Sequence, residues 1–319
     1  MTIAIFGAAG ATGQAIAEAL AQRDISFRAV GRSREKLQKI FGSSPKAELV
    51  DADLSTLEGA RKASRGAAAV VYAVGPADYS DKEFSKLPGW ITTALEAAAA
   101  EGVKKFILLS TVYSYGVPTT PKVAEDHPRA PAALKGEMRK QQEDLVLAAH
   151  GKGGLSTLVL RLPDFYGPKA DTGIFRGLFE AAVAGKTADV FAPIEKLHEF
   201  LYVPDLGPVV ADLLARDDVY GEAYNLAGPG ALSTRDFAAA IFKAAGHPPK
   251  LRAAGKIMVK ILGLFIPFMK DFYPMLYLQQ SPVLLDDAKL QSKLGAIKKT
   301  PYEEGIRRTV DAMKARTPA

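Results

Sequence analysis

The first half of the chain alternates between short runs of β-forming residues and longer segments whose apolar positions have a helical spacing. The predicted strands are Thr2–Phe6, Ser26–Val30, Ala47–Val50, Ala69–Val74, Lys105–Ser110 and Ser156–Arg161. The predicted helices are Thr12–Gln22, Ser33–Phe41, Ser55–Arg65, Pro88–Glu101 and Ala132–Ala149. Because strands and helices alternate, the pattern predicts an α/β fold, a doubly wound parallel sheet covered by helices on both faces.

The second half of the chain is less regular, and glycine and proline interrupt its apolar runs. Helical spacing returns at Pro204–Ala215, Ser233–Ala245, Lys256–Phe268 and Tyr302–Lys314. We expect residues 166–319 to form a smaller, mostly helical substrate-binding lobe, interleaved with the last strands of the sheet that residues 1–165 begin. The apolar segment Lys256–Leu278 is expected to pack this lobe on the sheet, or alternatively to form an apolar substrate pocket or lid.

Composition restricts the chemistry that this chain of 319 residues can perform. The lack of cysteine excludes disulfides, thiolate nucleophiles and zinc–cysteine sites, and four scattered histidines predict no metal site. The net charge of +6 is interleaved with acidic residues, so we expect no nucleic-acid partner. The chain starts with a strand-like run and has no uninterrupted apolar stretch of membrane-spanning length, which predicts a cytoplasmic protein without a membrane span.

A small-residue loop joins the first predicted strand to the first predicted helix. Its residues are Gly7, Ala8, Ala9, Gly10, Ala11, Thr12 and Gly13. Gly7 permits the tight turn, Gly10 lets the backbone approach a pyrophosphate, and Gly13 allows the helix to pack close to the strand. The helix N-terminus offers unpaired N–H groups and the positive end of its dipole to the phosphates. Between a strand and a helix, this loop predicts a Rossmann-type dinucleotide-binding domain.

The residues after the second strand predict which dinucleotide is bound. An NAD site carries an acidic residue there for the ribose 2′-hydroxyl, whereas this chain has Arg32, Ser33 and Arg34. Arg32 is placed to bind a 2′-phosphate with help from its neighbours, so we expect NADP(H) rather than NAD(H). The alternative for Arg32 is a solvated basic helix start. Asp53 and Leu54 are expected to border the adenine, although Asp53 is also typical of a turn or cap.

Together with the loop, later motifs make the chain resemble the extended short-chain dehydrogenase/reductases, the NAD(P)-dependent epimerase/dehydratase group. The segments that carry the resemblance are Val70–Gly75, Lys104–Thr111, Ser114–Gly116, Arg161–Pro168 and Phe200–Leu206. The resemblance implies that Val74, Gly75, Pro76, Ser110 and Pro163 border the cofactor and that Asp164, Phe165 and Tyr166 border the substrate. It also places Thr111 at the catalytic Ser/Thr position, where a hydroxyl binds the substrate oxygen. The alternative for Thr111 is a cap at the strand end.

The chain departs from this family at the residues that normally transfer the proton. The family has a tyrosine and a lysine one helical turn apart, and the aligned positions here are Lys135 and Arg139. In one interpretation Arg139 binds the nicotinamide ribose and the Lys135 ammonium donates the proton, which requires burial and nearby positive charge to lower its pKa towards neutrality. In a second, a tyrosine from another segment takes over, with Tyr113, Tyr115 and Tyr166 as the candidates. In a third, the helix presents only a solvated charged face, and the cofactor is bound without turnover.

The sequence therefore predicts an NADP(H)-dependent oxidoreductase that acts on the carbonyl/alcohol group of a small molecule. Its catalytic candidates are Thr111, Tyr113, Lys135 and Arg139. A non-catalytic NADP(H) sensor and a sugar-nucleotide epimerase or dehydratase are the alternatives. A small or apolar carbonyl compound is favoured over a sugar nucleotide because the lobe shows no marked cationic cluster. A sugar nucleotide stays an alternative because its diphosphate is within reach of Arg161, Arg176 or Arg252. Attachment of Lys256–Phe268 to a membrane surface is a third possibility, and the substrate's identity and homodimer formation stay open.

Overall fold

The computed structural model describes residues 2–170 and 175–316, so the last three residues of the predicted lobe lie outside the described part. Its main sheet contains β1 (Ile3–Phe6), β2 (Phe27–Gly31), β3 (Ala47–Asp51), β4 (Ala69–Tyr72), β5 (Lys105–Thr111), β6 (Ser156–Leu162) and β10 (Ala223–Asn225). These seven strands lie in the order β3-β2-β1-β4-β5-β6-β10, and all neighbours pair in parallel. The predicted parallel sheet is confirmed.

Helices cover both faces of this sheet. They are α1 (Ala11–Gln22), α2 (Arg34–Phe41), α3 (Leu57–Ser64), the short α4 (Asp81–Phe84), α5 (Leu87–Ala100), α6 (Leu134–Ala148) and α8 (Leu206–Leu214). Strand β1 is buried along its whole length, and its side chains alternate between two cores. Ile5 packs in one core with Ile16 of α1, and Phe6 packs in the other with Ile91 of α5. Because helices cover both faces of the sheet, side chains on both sides of β1 are buried, and its sequence is a continuous apolar run.

The second half of the chain contributes both to the main sheet and to a separate lobe. Strand β10 extends the sheet beyond β6, so the two halves are interleaved as expected. The remaining elements are β7 (Asp164–Tyr166), α7 (Arg176–Val183), β8 (Ala188–Phe191), β9 (Leu197–Tyr202), β11 (Ala231–Ser233), α9 (Thr234–Ala245), β12 (Leu251–Ala254), α10 (Lys256–Leu262), α11 (Pro267–Phe272), α12 (Tyr277–Gln280), α13 (Ala288–Leu294) and α14 (Tyr302–Arg316).

The lobe contains more β-structure than the sequence pattern indicates. Strands β7, β9 and β11 form one small sheet, and β8 pairs with β12 in another. The strands β8 and β12 are only four residues long, which is too short for alternation of polar and apolar residues to stand out. The lobe has its own core of aromatic side chains, including Phe200 and Phe237, whose rings stack with centroids 4.2 Å apart.

The prediction of a single helix over Lys256–Phe268 is wrong, because the structure has two helices joined by a turn. Helix α10 ends before Gly263, and α11 begins at Pro267. Proline lacks an N–H donor and disfavours helical backbone at the residue before it, which accounts for the break. The expected packing is found in the second part of the segment, where Phe272 and Met275 are buried. Most of α10 and the turn after it is exposed. In the described part of the chain, no helix is long and apolar enough to cross a membrane.

Candidate active site

The small-residue loop lies at the carboxyl edge of the sheet, between β1 and α1. Gly7 has a φ of +82°, and a Cβ there would lie 2.7 Å from the carbonyl oxygen of Ala73. A Cβ on Gly13 would lie 2.6 Å from the carbonyl oxygen of Gly7. Both glycines are therefore required by the fold itself. Gly10 differs, because a Cβ there would come no closer than 3.4 Å to a described atom.

The open space over Gly10 fits a bound pyrophosphate. Gly10 is the N-cap of α1, and no side chain caps this helix. The first N–H groups of α1 and the positive end of its dipole are therefore available to an anion. Ala9, Ala11 and Thr12 are partly exposed in the same turn. This loop would hold the phosphates of a dinucleotide through backbone groups.

Arg32 follows β2 and is exposed. Among the described residues its guanidinium forms no hydrogen bond or ion pair, so its donors are available to a phosphate. Ser33 is the N-cap of α2, since its hydroxyl accepts from the N–H of Lys36 at 3.2 Å. Arg34 is engaged elsewhere, because it donates to the carbonyl oxygen of Leu49 at 2.6 Å. Arg32 is thus the cation of this turn that a 2′-phosphate would meet.

The residues expected around the adenine have mixed roles. Asp53 accepts from the N–H and the hydroxyl of Ser55 at 3.0 and 2.7 Å, and these bonds lower the pKa of its carboxyl group. This geometry is that of a turn residue, the alternative reading of Asp53. Leu54 is buried beside it, and Val74, Gly75 and Pro76 follow β4 at the same edge of the sheet. Their contacts with a cofactor stay a prediction.

A buried carboxylate near the site accepts hydrogen bonds from four side chains. Glu143 of α6 accepts from the hydroxyls of Ser110 at 2.5 Å and Ser114 at 2.9 Å. It also accepts from Arg161 at 2.9 Å and from Arg129 at 3.2 Å. The Ser110 hydroxyl therefore has a structural partner, and the structure does not favour the cofactor contact expected of it. Glu143 is buried, so it does not belong to a solvated helix face.

Tyr115 is part of the same buried network. Arg161 donates to the Tyr115 hydroxyl at 2.7 Å, and that hydroxyl donates to Asn225 at 2.7 Å. Burial raises the pKa of Tyr115. Because both hydrogen-bonding functions of this hydroxyl are used, Tyr115 is a poor candidate for transferring a proton to a substrate.

Lys135, which the sequence analysis aligned with the family's tyrosine, forms contacts with neighbouring elements. Its ammonium forms an ion pair with Asp81 of α4 and donates to the carbonyl oxygen of Asp271 at 2.8 Å. The ammonium also lies over the rings of Tyr79 and Phe84, at 5.1 and 5.6 Å from their centroids. These contacts engage the ammonium of Lys135 and join α6 to α4 and α11. The arrangement argues against Lys135 as the proton donor and favours a structural role.

Arg139, one turn further along α6, is buried but not fully satisfied. One guanidinium nitrogen donates to the side chain of Gln142 at 2.9 Å, whereas the buried Nε atom has no partner among the described residues. Burial lowers the pKa of Arg139. A buried donor without a partner is costly, and it fits a group that binds a ligand hydroxyl. This geometry fits the expected contact with a nicotinamide ribose.

Tyr113 follows β5, and Asp164 begins β7 close enough for its charge to act on Tyr113. The hydroxyl of Tyr79 donates to that of Tyr113 over 3.1 Å. Burial, and after it the charge of Asp164, raises the pKa of Tyr113, while Tyr79 and Arg139 act in the opposite direction. Burial alone raises the pKa of Asp164 to about 6. A phenol beside a carboxyl group with a displaced pKa is an arrangement typical of proton transfer.

The other predicted residues lie around this group or away from it. Thr111 ends β5, and its hydroxyl accepts from the N–H of Tyr113 at 3.4 Å, as a strand-end cap does. Pro163 is buried between β6 and β7, and Phe165 packs against the core of the sheet. Tyr166 is buried in the lobe, with its ring stacked on that of Phe179 at 6.0 Å. This position favours a packing role for Tyr166 over contact with substrate.

Tyr79 and Asp81 are site residues that the sequence reasoning missed. They lie in the segment after β4, at the carboxyl edge where ligands bind in open α/β sheets. Their position after a buried strand was a usable signal, but nothing in the sequence showed that they contact Tyr113 and Lys135. Across the described residues, no three side chains of His, Asp or Glu are grouped as metal ligands.

Residues 7–165 match the family model described as NAD(P)H-binding. The chain is 26% identical over 302 residues to 3beta-hydroxysteroid-dehydrogenase/decarboxylase isoform 1 of Arabidopsis thaliana, covering 84% of this chain and 67% of that protein. It covers 52% of the length of isoform 2, to which it is 26% identical over 300 residues.

Two solved structures have the same fold at low identity. UDP-glucuronic acid 4-epimerase from Bacillus cereus, solved with UDP-glucuronic acid and NAD, aligns with a TM-score of 0.82 and 18% identity over 99% of both chains. DesIV, a dTDP-glucose 4,6-dehydratase from Streptomyces venezuelae solved with NAD and TYD, aligns with a TM-score of 0.81 and 18% identity over 99% of this chain and 98% of that one.

The fold and the glycine loop define an NAD(P)-binding protein of Rossmann type. The proteins that it resembles are enzymes: dehydrogenases, epimerases and dehydratases. These similarities support a relationship of the chain to the NAD(P)-binding epimerase/dehydratase family.

Proposed function

We propose that this protein is an NADP(H)-dependent oxidoreductase that interconverts a carbonyl group and an alcohol on an apolar small molecule. The observation that carries the proposal is the position of Tyr113, which lies near Arg139 and accepts a hydrogen bond from Tyr79. Arg139, expected at the position of the family's lysine, carries a positive charge that opposes the rise that burial causes in the pKa of Tyr113. The tyrosine thus comes from the end of β5 instead of from α6.

The chain's own residues account for binding of the cofactor. The backbone at Gly10 and the N-terminus of α1 would hold the pyrophosphate, Arg32 the 2′-phosphate, and Arg139 the nicotinamide ribose. Arg32 is the reason for preferring NADP(H), because no carboxylate follows β2 to bind a free 2′-hydroxyl. When bound, the nicotinamide supplies or accepts the hydride.

Proton transfer is assigned to residues beyond β5. In the direction of reduction, the Tyr113 hydroxyl donates its proton to the substrate oxygen, and the Thr111 hydroxyl donates a hydrogen bond to the same oxygen. Tyr79 stabilises the phenolate by donating to it. Asp164 adds a carboxyl group that is protonated below about pH 6, so the site can hold a proton close to Tyr113.

The surroundings favour an apolar substrate over a sugar nucleotide. Arg161 is bound to Glu143, Arg252 makes two hydrogen bonds to Asp189, and Arg176 pairs with Glu180. The three arginines that sequence analysis offered for a diphosphate are therefore already engaged. Tyr79 is surrounded by the aromatic rings of Phe84, Phe268 and Phe272, at 5.5 to 5.7 Å between centroids.

A sensor without turnover is the second candidate, and the ion pair of Lys135 is the observation in its favour. In that case Lys135 and Arg139 would act only in binding the cofactor and in holding the structure. Two measurements separate the candidates: titration with NADPH and NADH, and turnover of a substrate panel. Turnover of apolar ketones and aldehydes is followed by consumption of NADPH. Turnover of UDP- and dTDP-sugars is followed by chromatography of the sugar product, because an epimerase or dehydratase returns the hydride and consumes no cofactor. Selective NADPH binding with turnover of an apolar carbonyl compound supports the proposal. Turnover of a nucleotide sugar overturns the substrate assignment, and tight binding without any turnover supports the sensor.

A further inference from the structure

Among the described residues, the large exposed apolar side chains are concentrated in one place, the tip formed by α10, α11 and the turn between them (residues 256–272). Of the twelve large apolar side chains that are exposed among the described residues, seven lie in this tip. Ile257, Leu264 and Phe265 are the most exposed, at 77%, 78% and 79%. The other five are scattered singly over the chain, as is normal for a protein surface.

Helix α10 is apolar on the face that packs on the protein and also on the opposite face. Val259 is fully buried in the cluster that contains Phe272 and Met275. Ile257 and Ile261 flank it and are exposed. A helix with apolar residues on two opposite faces is suited to an apolar environment on both of them. The protein supplies that environment for one face of α10 and not for the other.

The N–H groups in the turn of the tip are all hydrogen-bonded within the tip itself. The N–H groups of Gly263, Leu264, Phe265 and Ile266 all donate to carbonyl oxygens between Val259 and Leu262, at 2.8 to 3.1 Å. An unpaired N–H group in an apolar phase costs several kcal/mol, so irregular backbone normally stays out of it. The turn at this tip carries no such cost for its own N–H groups.

The tip's own charged residues are all positive except one. Lys256, Lys260 and Lys270 flank the apolar residues and are exposed, whereas Asp271 is partly buried. With the described carboxylates these lysines form no ion pair. Long lysine side chains can lie along apolar surface and place their ammonium groups at a lipid headgroup. A tip with apolar residues at its end and lysines around it is complementary to an anionic lipid surface.

We propose that the α10–α11 tip docks on the surface of a membrane that contains anionic lipid, with Leu264 and Phe265 inserted below the headgroups. The alternative occupant, a second copy of the chain, is disfavoured by charge. A symmetric dimer would bring the same three lysines of both copies together at one interface. Docking does not depend on the proposed oxidoreductase activity, since it requires neither cofactor nor substrate.

Flotation with vesicles tests the proposal. We expect the full chain to float with vesicles of phosphatidylcholine and phosphatidylglycerol, more weakly with phosphatidylcholine alone, and less at high salt. The double variant L264D/F265D should lower vesicle affinity at least tenfold. K260Q and K270Q should each lower it about fivefold on the anionic vesicles only. The matched control L57D/L197D, which changes exposed leucines elsewhere, should bind as the unmodified chain does.

Thermal melting and NADPH affinity of each variant show whether it is folded. The proposal is overturned if the unmodified chain does not float with anionic vesicles, or if L264D/F265D floats as well as the control. It is also overturned if light scattering shows a dimer that L264D/F265D dissociates while no form of the protein binds vesicles. That result would make the tip an interface between copies of the chain.

Discussion

The ammonium of Lys135 forms an ion pair with the carboxylate of Asp81, so the residue expected at the family's tyrosine position connects α6 with α4. Lys135 is buried, whereas Asp81 is half exposed and can be hydrated when its partner is lost. We expect Lys135→Met to lower the free energy of unfolding by about 1–3 kcal/mol and to change kcat by less than about tenfold. Urea unfolding and NADPH turnover measure the two effects. Lys82→Met, on the exposed side of α4, is the control, and a loss of turnover beyond about a hundredfold would make Lys135 catalytic.

Two glycines of the same loop are expected to respond differently to a methyl group. Gly13→Ala forces a Cβ to 2.6 Å from the carbonyl oxygen of Gly7 and should destabilise the protein by about 1–3 kcal/mol. Gly10→Ala meets nothing closer than 3.4 Å and should keep stability within about 1 kcal/mol. Gly10→Ala should nevertheless lower NADPH affinity at least tenfold, because the added methyl group occupies the space in which we place the pyrophosphate. Unchanged affinity in Gly10→Ala would place the cofactor elsewhere.

Arg32 should determine the preference between the two nicotinamide cofactors. Removal of a charged hydrogen-bond donor to the 2′-phosphate is expected to weaken NADPH binding about ten- to a hundredfold. NADH binding of Arg32→Ala should change less than about threefold, since NADH has no phosphate at that position. Arg34→Ala is the comparison, because the Arg34 guanidinium is bound to the carbonyl of Leu49. Isothermal titration of both variants with both cofactors gives the answer, and equal losses for NADPH and NADH would contradict the assignment.

Tyr113 and Tyr115 are two residues apart but should have different roles. Tyr113→Phe removes the proposed proton donor and should lower kcat about a hundred- to ten-thousandfold with little change in NADPH affinity. Tyr115→Phe leaves Arg161 and Asn225 without a buried partner and should instead cost about 1–3 kcal/mol of stability. Steady-state kinetics with a substrate from the panel, together with unfolding by urea, distinguishes the two. The proposed mechanism fails if Tyr113→Phe turns over normally.

Asp164 should make stability depend on pH between its ordinary pKa and the raised value of about 6. In this window the unfolded chain has lost the proton and the folded protein keeps it, so stability falls as pH rises and then levels off above pH 6. Asp164→Asn removes this dependence. We expect the variant to match the unmodified protein near pH 4 and to be more stable by about 2 kcal/mol at pH 8. Urea unfolding at both pH values is the measurement, and a variant that is less stable at pH 8 would refute the burial of this carboxylate.

The sequence by itself determined the parallel sheet and the dinucleotide loop, because both depend on local patterns. The six strands of the first half are confirmed, and the loop lies between β1 and α1 as expected. Arg32 could be singled out for the same reason, since it follows β2 directly in the chain. Local sequence also contained the exposed tip, but the apolar run there fitted core packing, a substrate pocket and a membrane surface equally well.

Only the tertiary structure decided which side chains meet. Lys135 and Asp81 are 54 residues apart, and Tyr79 and Tyr113 are 34 apart, so no periodicity connects them. The same holds for Arg161, whose charge is neutralised by Glu143 in the interior instead of facing a diphosphate. The sequence does not show whether a charged or phenolic side chain is paired, buried or free. Its chemistry depends on partners and burial, which are fixed when distant segments of the chain pack together.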